Sequence, residues 1–361
     1  MSSLAAQTAP ALSMQDLQPV GSIPASAVVA AVGHVKDILS LAIMHDDSHR
    51  AVVVFDTRCE LARALLLVYR QVIPSARFVD FDASDPAAVM AEFDALSAQD
   101  LVVLIQSTGF RLDAYRLRIE LFKRELKVIE HVHLARMPDA EALYYLDSLA
   151  YDPAYFRGVG QALKARIDRA LSAQIDSGGG ARLVVATSLE QAKLNIGDYS
   201  GMKNVGGQFP IGEVFTEACD LEAVNGQVRI DVFGDTAFAA NRPAHPITLV
   251  VERGRVVRLI DSTPAFDEVI AKIRADEGEV WLRELGFGLN RAFSSERFVR
   301  DVGTYERMCG IHLSLGAKHG VYSKPIIRRK DARYHVDVFA ITEAVFLDSE
   351  QVFQDGAWKI T

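Results

Sequence analysis

The chain has 361 residues, half of them hydrophobic, so it can bury a large core and is long enough for two globular units. Its 39 Lys+Arg against 47 Asp+Glu give a net charge of −8 with no dense basic run, which excludes a protein built to neutralise a nucleic-acid backbone. Cys59, Cys219 and Cys309 are odd in number, far apart and without a Cys-x-x-Cys pair, which excludes a disulfide framework and fits reduced thiols in a cytoplasmic protein.

Residues 1–24, rich in Ala, Ser, Gln and Pro, read as a loosely held arm. The first basic residue is Lys36, so the positive region of a secretory signal is missing, and the apolar run 25–33 is too short to span a bilayer; no membrane partner is expected. Between about 50 and 190, β-branched runs at 51–56, 76–81, 101–106, 127–133 and 182–186 alternate with helical patterns at 60–72, 86–96 and 112–126. The apolar residues of the helical patterns recur three and four positions apart, as in Leu61, Leu65, Leu66 and Tyr69, which predicts a mostly parallel sheet with helices on its faces.

A further helix is predicted over 153–175, ended by Ser177-Gly178-Gly179-Gly180. That glycine run is not a phosphate loop, because no Gly-Lys-Ser/Thr follows it and it precedes a strand instead of a helix. A domain boundary is placed there, giving an α/β domain over 25–180 and a metal-binding catalytic domain over 181–361. The second is read as β-rich α+β, with strands at 227–232, 247–252 and 255–261, the last two joined by a tight Arg253-Gly254 turn, then a long helix over 265–285 and strands around His312 and His335.

The chemistry-bearing residues fall in this second half. Alternation along Tyr334-His335-Val336-Asp337-Val338 puts His335 and Asp337 on one face, and alternation along Ile311-His312-Leu313-Ser314-Leu315 frees His312 opposite an apolar face. Two imidazoles and a carboxylate are the smallest set for a catalytic zinc or a non-haem iron, and two independent histidines satisfied by hydrogen bonds are the alternative. Glu213 and Glu284 lie in apolar, glycine-containing settings where an unpaired charge is expensive, and small neighbours permit close approach to an ion; a helix-end pair with Arg283 or Arg291 is the plainer reading of Glu284.

The segments Gly212-Glu213-Val214-Phe215-Thr216, Val224-Asn225-Gly226, Leu285-Gly286-Phe287-Gly288-Leu289-Asn290, Ile311-His312-Leu313-Ser314-Leu315-Gly316 and His335-Val336-Asp337 occur in an order that resembles the aminopeptidase T family of metallopeptidases. The resemblance spans roughly 195–345, with an architectural likeness over 40–190. It implies that Glu213, Glu284, His312, His335 and Asp337 ligate divalent metal, Zn, Co or Mn in a dinuclear hydrolase, that Glu306 or His319 handles protons, and that a homodimer acts on small molecules or short peptides. Where that family tends to place a tyrosine, seven residues after the strand histidine, this chain has His319, with Tyr322 nearby; His319 is an extra ligand, a proton shuttle or a loop histidine. The same superfamily includes the ring-opening 2,5-dihydroxypyridine dioxygenase, and the likeness to it implies instead a single Fe(II) on His312, His335 and Asp337.

Overall fold

The computed structural model describes residues 18–112 and 117–360 and is mixed α/β, with one parallel and one large antiparallel sheet. It divides into two compact units, residues 1–153 with 197–211 and residues 154–196 with 212–361. The chain therefore changes unit at 153/154, 196/197 and 211/212 instead of once near 180. The expected arm over 1–24 falls mostly outside the described residues; within its described end, Ser22 donates to Glu60.

The first unit holds helix α1 (Ala25–Asp37), strand β1 (Ala51–Phe55), α2 (Glu60–Val72), β2 (Arg77–Asp80), α3 (Pro86–Asp94), β3 (Leu101–Ile105), α4 (Leu117–Lys123), β4 (Lys127–His131) and α5 (Ala140–Ser148). A late strand, β8 (Gly206–Gln208), completes a sheet of order β2-β1-β3-β4-β8 in which every pairing is parallel. β3 is buried along its whole length, as a strand covered on both faces must be. On α2 the predicted stripe Leu61, Leu65, Leu66 and Tyr69 faces the core. Part of the helix predicted over 112–126 lies outside the described residues.

Helical structure at the start of the unit runs further than its apolar stretch implied, from Ala25 through a π-turn to Ala42. By length and composition that run is long enough to cross a membrane. Here Val28, Val32, Val35 and Ile38 are buried core residues, the pattern of a helix packed on one side.

The second unit begins with α6 (Pro153–Ile167) and the strands β5 (Ala173–Asp176), β6 (Arg182–Val185) and β7 (Lys193–Asn195). The predicted helix over 153–175 thus stops eight residues early, and Ser177 to Gly180 is the turn between antiparallel β5 and β6, not a linker. Gly178, Gly179 and Gly180 have φ of +73°, +61° and +82°, which only glycine adopts at low cost, so the run closes a hairpin. Strand β6 alternates exposed and buried residues, the pattern of an antiparallel strand, and it joins this sheet instead of the parallel one expected.

There follow β9 (Glu213–Glu217), β10 (Val224–Gly234), β11 (Ala240–Asn241), β12 (Ile247–Glu252), β13 (Arg255–Ile260), α7 (Pro264–Glu277), β14 (Leu282–Gly288), α8 (Val302–Tyr305), β15 (Gly310–Leu315), β16 (Val336–Ala340), β17 (Ala344–Leu347), β18 (Glu350–Gln354) and β19 (Ala357–Trp358). The main path of the sheet is β19-β18-β17-β5-β6-β10-β16-β15-β14-β9-β7. The long helix predicted over 265–285 is really helix plus strand. Thr263 caps α7, Gly278 at φ +84° ends it, and Glu284 consequently stands on β14 and not at a helix end.

Candidate metal centre

Four neighbouring strands, β9, β14, β15 and β16, build the site, and their register explains why residues so far apart in sequence meet. His312 is opposite Gly286 on one side and Phe339 on the other, Ser314 is opposite Asp337, and Glu213 is opposite Gly288. Side chains directly opposite in a sheet share a face, and so do residues two apart on one strand. Glu213, Glu284, His312 and Asp337 therefore project from one face, with His335 one residue before β16.

The glycines of β14 are what allow these groups to touch. A Cβ at Gly286 would lie 1.9 Å from His312 Cε1 and 2.1 Å from its Nε2, so the imidazole lies flat over β14 where any other residue would stand. Lying there, His312 Nε2 comes within 3.3 Å of Glu213 Oε1 and 3.4 Å of Glu284 Oε1. The other Glu284 oxygen, Oε2, is 2.8 Å from His319 Nε2. His335 Nε2 is 3.1 Å from Asp337 Oδ1, and the His319 and His335 rings are 5.9 Å apart, edge to face.

Glu306 follows α8 and joins Glu213 and His312 in a trio whose ligand atoms all lie within 4.8 Å of one another. Arg307, a residue that spacing did not single out, donates Nη1 to Glu213 at 2.5 Å and to Glu306 at 2.6 Å. Its signal in the sequence was only its position beside Glu306, because nothing local shows that the guanidinium is buried. Tyr322 is placed beside the cluster, its ring 5.0 Å from that of His319, but its hydroxyl donates to the Gln191 carbonyl at 2.6 Å.

Burial by itself would neutralise these groups, and their mutual contacts reverse that. Burial works to raise the Glu284 carboxyl, yet the His312 and His319 imidazoles beside it hold it well below the usual carboxylate range. Burial pulls the His312 imidazole down, and hydrogen bonds to Glu213 and Glu284 drive it well above its ordinary value. His335 is likewise pulled down by burial and lifted to about 10 by the Asp337 carboxylate. Glu306 moves the other way: burial pushes it up to about 8, with Arg307 opposing the rise and Glu213 and Asp337 adding to it.

The donor set fits a divalent cation. His335 Nδ1 donates to the Lys318 carbonyl at 3.1 Å, because a carbonyl can only accept, and this makes Nε2 the nitrogen that would exchange its proton for an ion, the outer-sphere arrangement typical of ligating histidines. Asp337 Oδ1 is buried with no hydrogen-bond partner among the described residues, as a ligand atom is before its ion binds. Four carboxylates and two imidazoles without sulfur suit Zn, Mn, Co or Fe(II).

Taken together, a parallel α/β sheet and an antiparallel sheet bearing a histidine–carboxylate cluster define a two-unit α/β fold. It is the fold of 2,5-dihydroxypyridine dioxygenase from Pseudomonas putida, with a TM-score of 0.61 at 14% identity over 91% of this chain and 96% of that one. Aminopeptidase T from Thermus thermophilus shares it too, with a TM-score of 0.57 at 12% identity over 92% of this chain and 99% of that one. At the level of sequence, no family model and no curated protein matches.

Proposed function

We propose that the chain is a divalent-metal-dependent hydrolase acting on a small peptide-like or amide substrate. The observation that carries this reading is Glu284, whose two oxygens reach two imidazoles, that of His312 in the Glu213–Glu306–His312 trio and that of His319, whose ring is 5.9 Å from His335 of the His335–Asp337 pair. Glu213, Glu284, His312, His335 and Asp337 would hold the metal. A bound divalent cation supplies Lewis acidity toward a carbonyl oxygen and makes a bound water acidic enough to act as a nucleophile near neutral pH.

The protein's own residues do the rest. Lys318 fixes the His335 ring through its carbonyl, and Arg307 holds Glu213 and Glu306 in place. Glu306, with 21% of its side chain exposed and its carboxyl pushed up to about 8, is the group able to give a proton to a leaving amine. The fold shared with aminopeptidase T supports this reading. In keeping with it, we expect a cytoplasmic homodimer, which light scattering after size exclusion would test.

One observation favours a second reading, a mononuclear Fe(II) enzyme that opens a small aromatic or heteroaromatic ring. Because Arg307 already pairs with Glu213 and Glu306, His312, His335 and Asp337 remain as a two-histidine, one-carboxylate set, and the dioxygenase shares the fold. Elemental analysis of anaerobically purified protein separates the two. Zinc, cobalt or manganese, with metal-dependent release of amine from aminoacyl amides and loss of one metal equivalent in Glu213→Ala, supports the hydrolase. Iron alone, with oxygen uptake on dihydroxylated heteroaromatics and no amide cleavage, overturns it.

A further inference from the structure

His319 is the residue whose chemistry the structure narrows most. Its Nδ1 accepts two backbone N–H groups, from Val321 at 3.1 Å and Tyr322 at 3.2 Å. A ring nitrogen that accepts cannot carry a proton, so the ring's proton sits on Nε2. His335, 5.9 Å away ring to ring, has the opposite pattern, because its Nδ1 donates to Lys318 and its Nε2 is the nitrogen that would give up its proton to an ion. Two neighbouring histidines are therefore sorted into a donor and a ligand by backbone contacts alone.

The loop that carries His319 is clamped, so this sorting does not depend on a mobile side chain. Buried Arg283 donates to the carbonyls of Ala317 and Tyr322 at either end of it, Lys318 N–H donates to the Tyr334 carbonyl at 2.9 Å, and the Tyr322 hydroxyl donates to Gln191 at 2.6 Å. The His319 side chain is only 2% exposed. Its Nε2 is 2.8 Å from Glu284 Oε2, yet it makes no well-directed hydrogen bond to that oxygen or to any other described atom. The N–H is held inside the site beside that carboxylate, without an acceptor in line with it.

From this we infer that His319 is neither a metal ligand nor a proton shuttle but a fixed N–H donor that binds an oxygen of the substrate beside the metal, selecting substrates that present a carbonyl or tetrahedral oxygen there. This rests on the proposed hydrolase for the identity of that oxygen, whereas the donor assignment stands on the hydrogen bonds alone. Ligation would require Nε2 to lose its proton, and shuttling would require Nδ1 to gain one while facing two N–H groups.

The test combines three measurements on zinc-loaded protein. Long-range 15N–1H correlation spectra should show His319 protonated at Nε2 and His335 at Nδ1. His319→Phe should keep the wild-type zinc content by elemental analysis, and should bind phenylphosphonate, a probe carrying tetrahedral oxygens, about tenfold to a hundredfold more weakly. His319→Gln, which restores an N–H, should recover most of that binding. An Nδ1-protonated His319, loss of zinc in His319→Phe, or unchanged phenylphosphonate affinity in that variant would each overturn the inference. Should the phenylalanine variant fail to fold, the wild-type spectra still decide the tautomer. Failure to cleave any amide while these three results hold would refute the hydrolase and leave the donor standing.

Discussion

Replacing Gly286 by alanine tests the site more sharply than removing a ligand, because it adds one methyl group and changes no donor. The new Cβ would sit 1.9 Å from His312 Cε1, whereas ordinary contacts begin near 3.4 Å, so the ring must retreat by about 1.5 Å. Metal–nitrogen bonds are about 2.0–2.1 Å long with a tolerance of about 0.2 Å, so a shift of that size removes His312 from the coordination sphere. Loss of a ligand should weaken metal binding by about a hundredfold or more, about 2.7 kcal/mol, and overpacking should cost about 1–3 kcal/mol of stability. Calorimetric titration of zinc into chelator-treated protein, with elemental analysis after dialysis, reads the first effect. The control is Gly158→Ala in α6, where an added Cβ meets nothing within 4 Å: metal binding should not change and stability should rise by about 0.5–1 kcal/mol. If Gly286→Ala binds zinc within threefold of wild type, the imidazole does not bind metal from its place over β14, and the site as described is wrong.

Arg307→Met leaves Glu213 and Glu306 together in a buried setting without their cation, and should destabilise the metal-free protein by about 3–5 kcal/mol in chemical denaturation, with part of the loss recovered on adding zinc. An unchanged denaturation midpoint would show that the guanidinium is dispensable. In the first unit, His131 is fully buried between the hydroxyls of Tyr69 and Tyr145, and burial lowers its imidazole to about 3. Since the unfolded state takes up this proton near its ordinary value and the folded state does not, stability should rise with pH from about 3 to about 6.5 and level off above. The share lost between pH 8 and pH 5 is about 2 kcal/mol. The His131 ring resonances should stay fixed over that range, and a midpoint near 6.5 would contradict the burial. Finally, adding zinc to chelator-treated protein at a hundred times its dissociation constant should stabilise the second unit by about 2.7 kcal/mol. No rise in the thermal midpoint would mean that the folded protein holds no metal.

How much was legible in the sequence depended on how local each signal was. The parallel sheet and its helices followed from periodicity, since β1, β3, β4 and α2 bury the residues that their patterns put inside. Alternation around His312 likewise placed that side chain, because a strand dictates which face a residue takes whatever lies beside it, whereas His335, read as part of a strand, lies one residue before β16. The stretches at 153–175 and 265–285 were misread where a helix-compatible run continues into a strand. There the deciding contacts are cross-strand partners such as Glu217 opposite Glu284, invisible within one segment.

The sequence by itself determined the donor types, the strand face of His312 and the glycines near Glu213 and Glu284. Only the tertiary structure decided which donors meet, because cross-strand register brings Glu213, Glu284, His312 and Asp337 together from four strands. It alone revealed that Arg307 is buried among the carboxylates, and it alone showed that the Nδ1 atoms of His319 and His335 face opposite kinds of backbone group. The physical reason is that a side chain's protonation and purpose are set by the atoms its polar groups face, and those atoms come from distant parts of the chain.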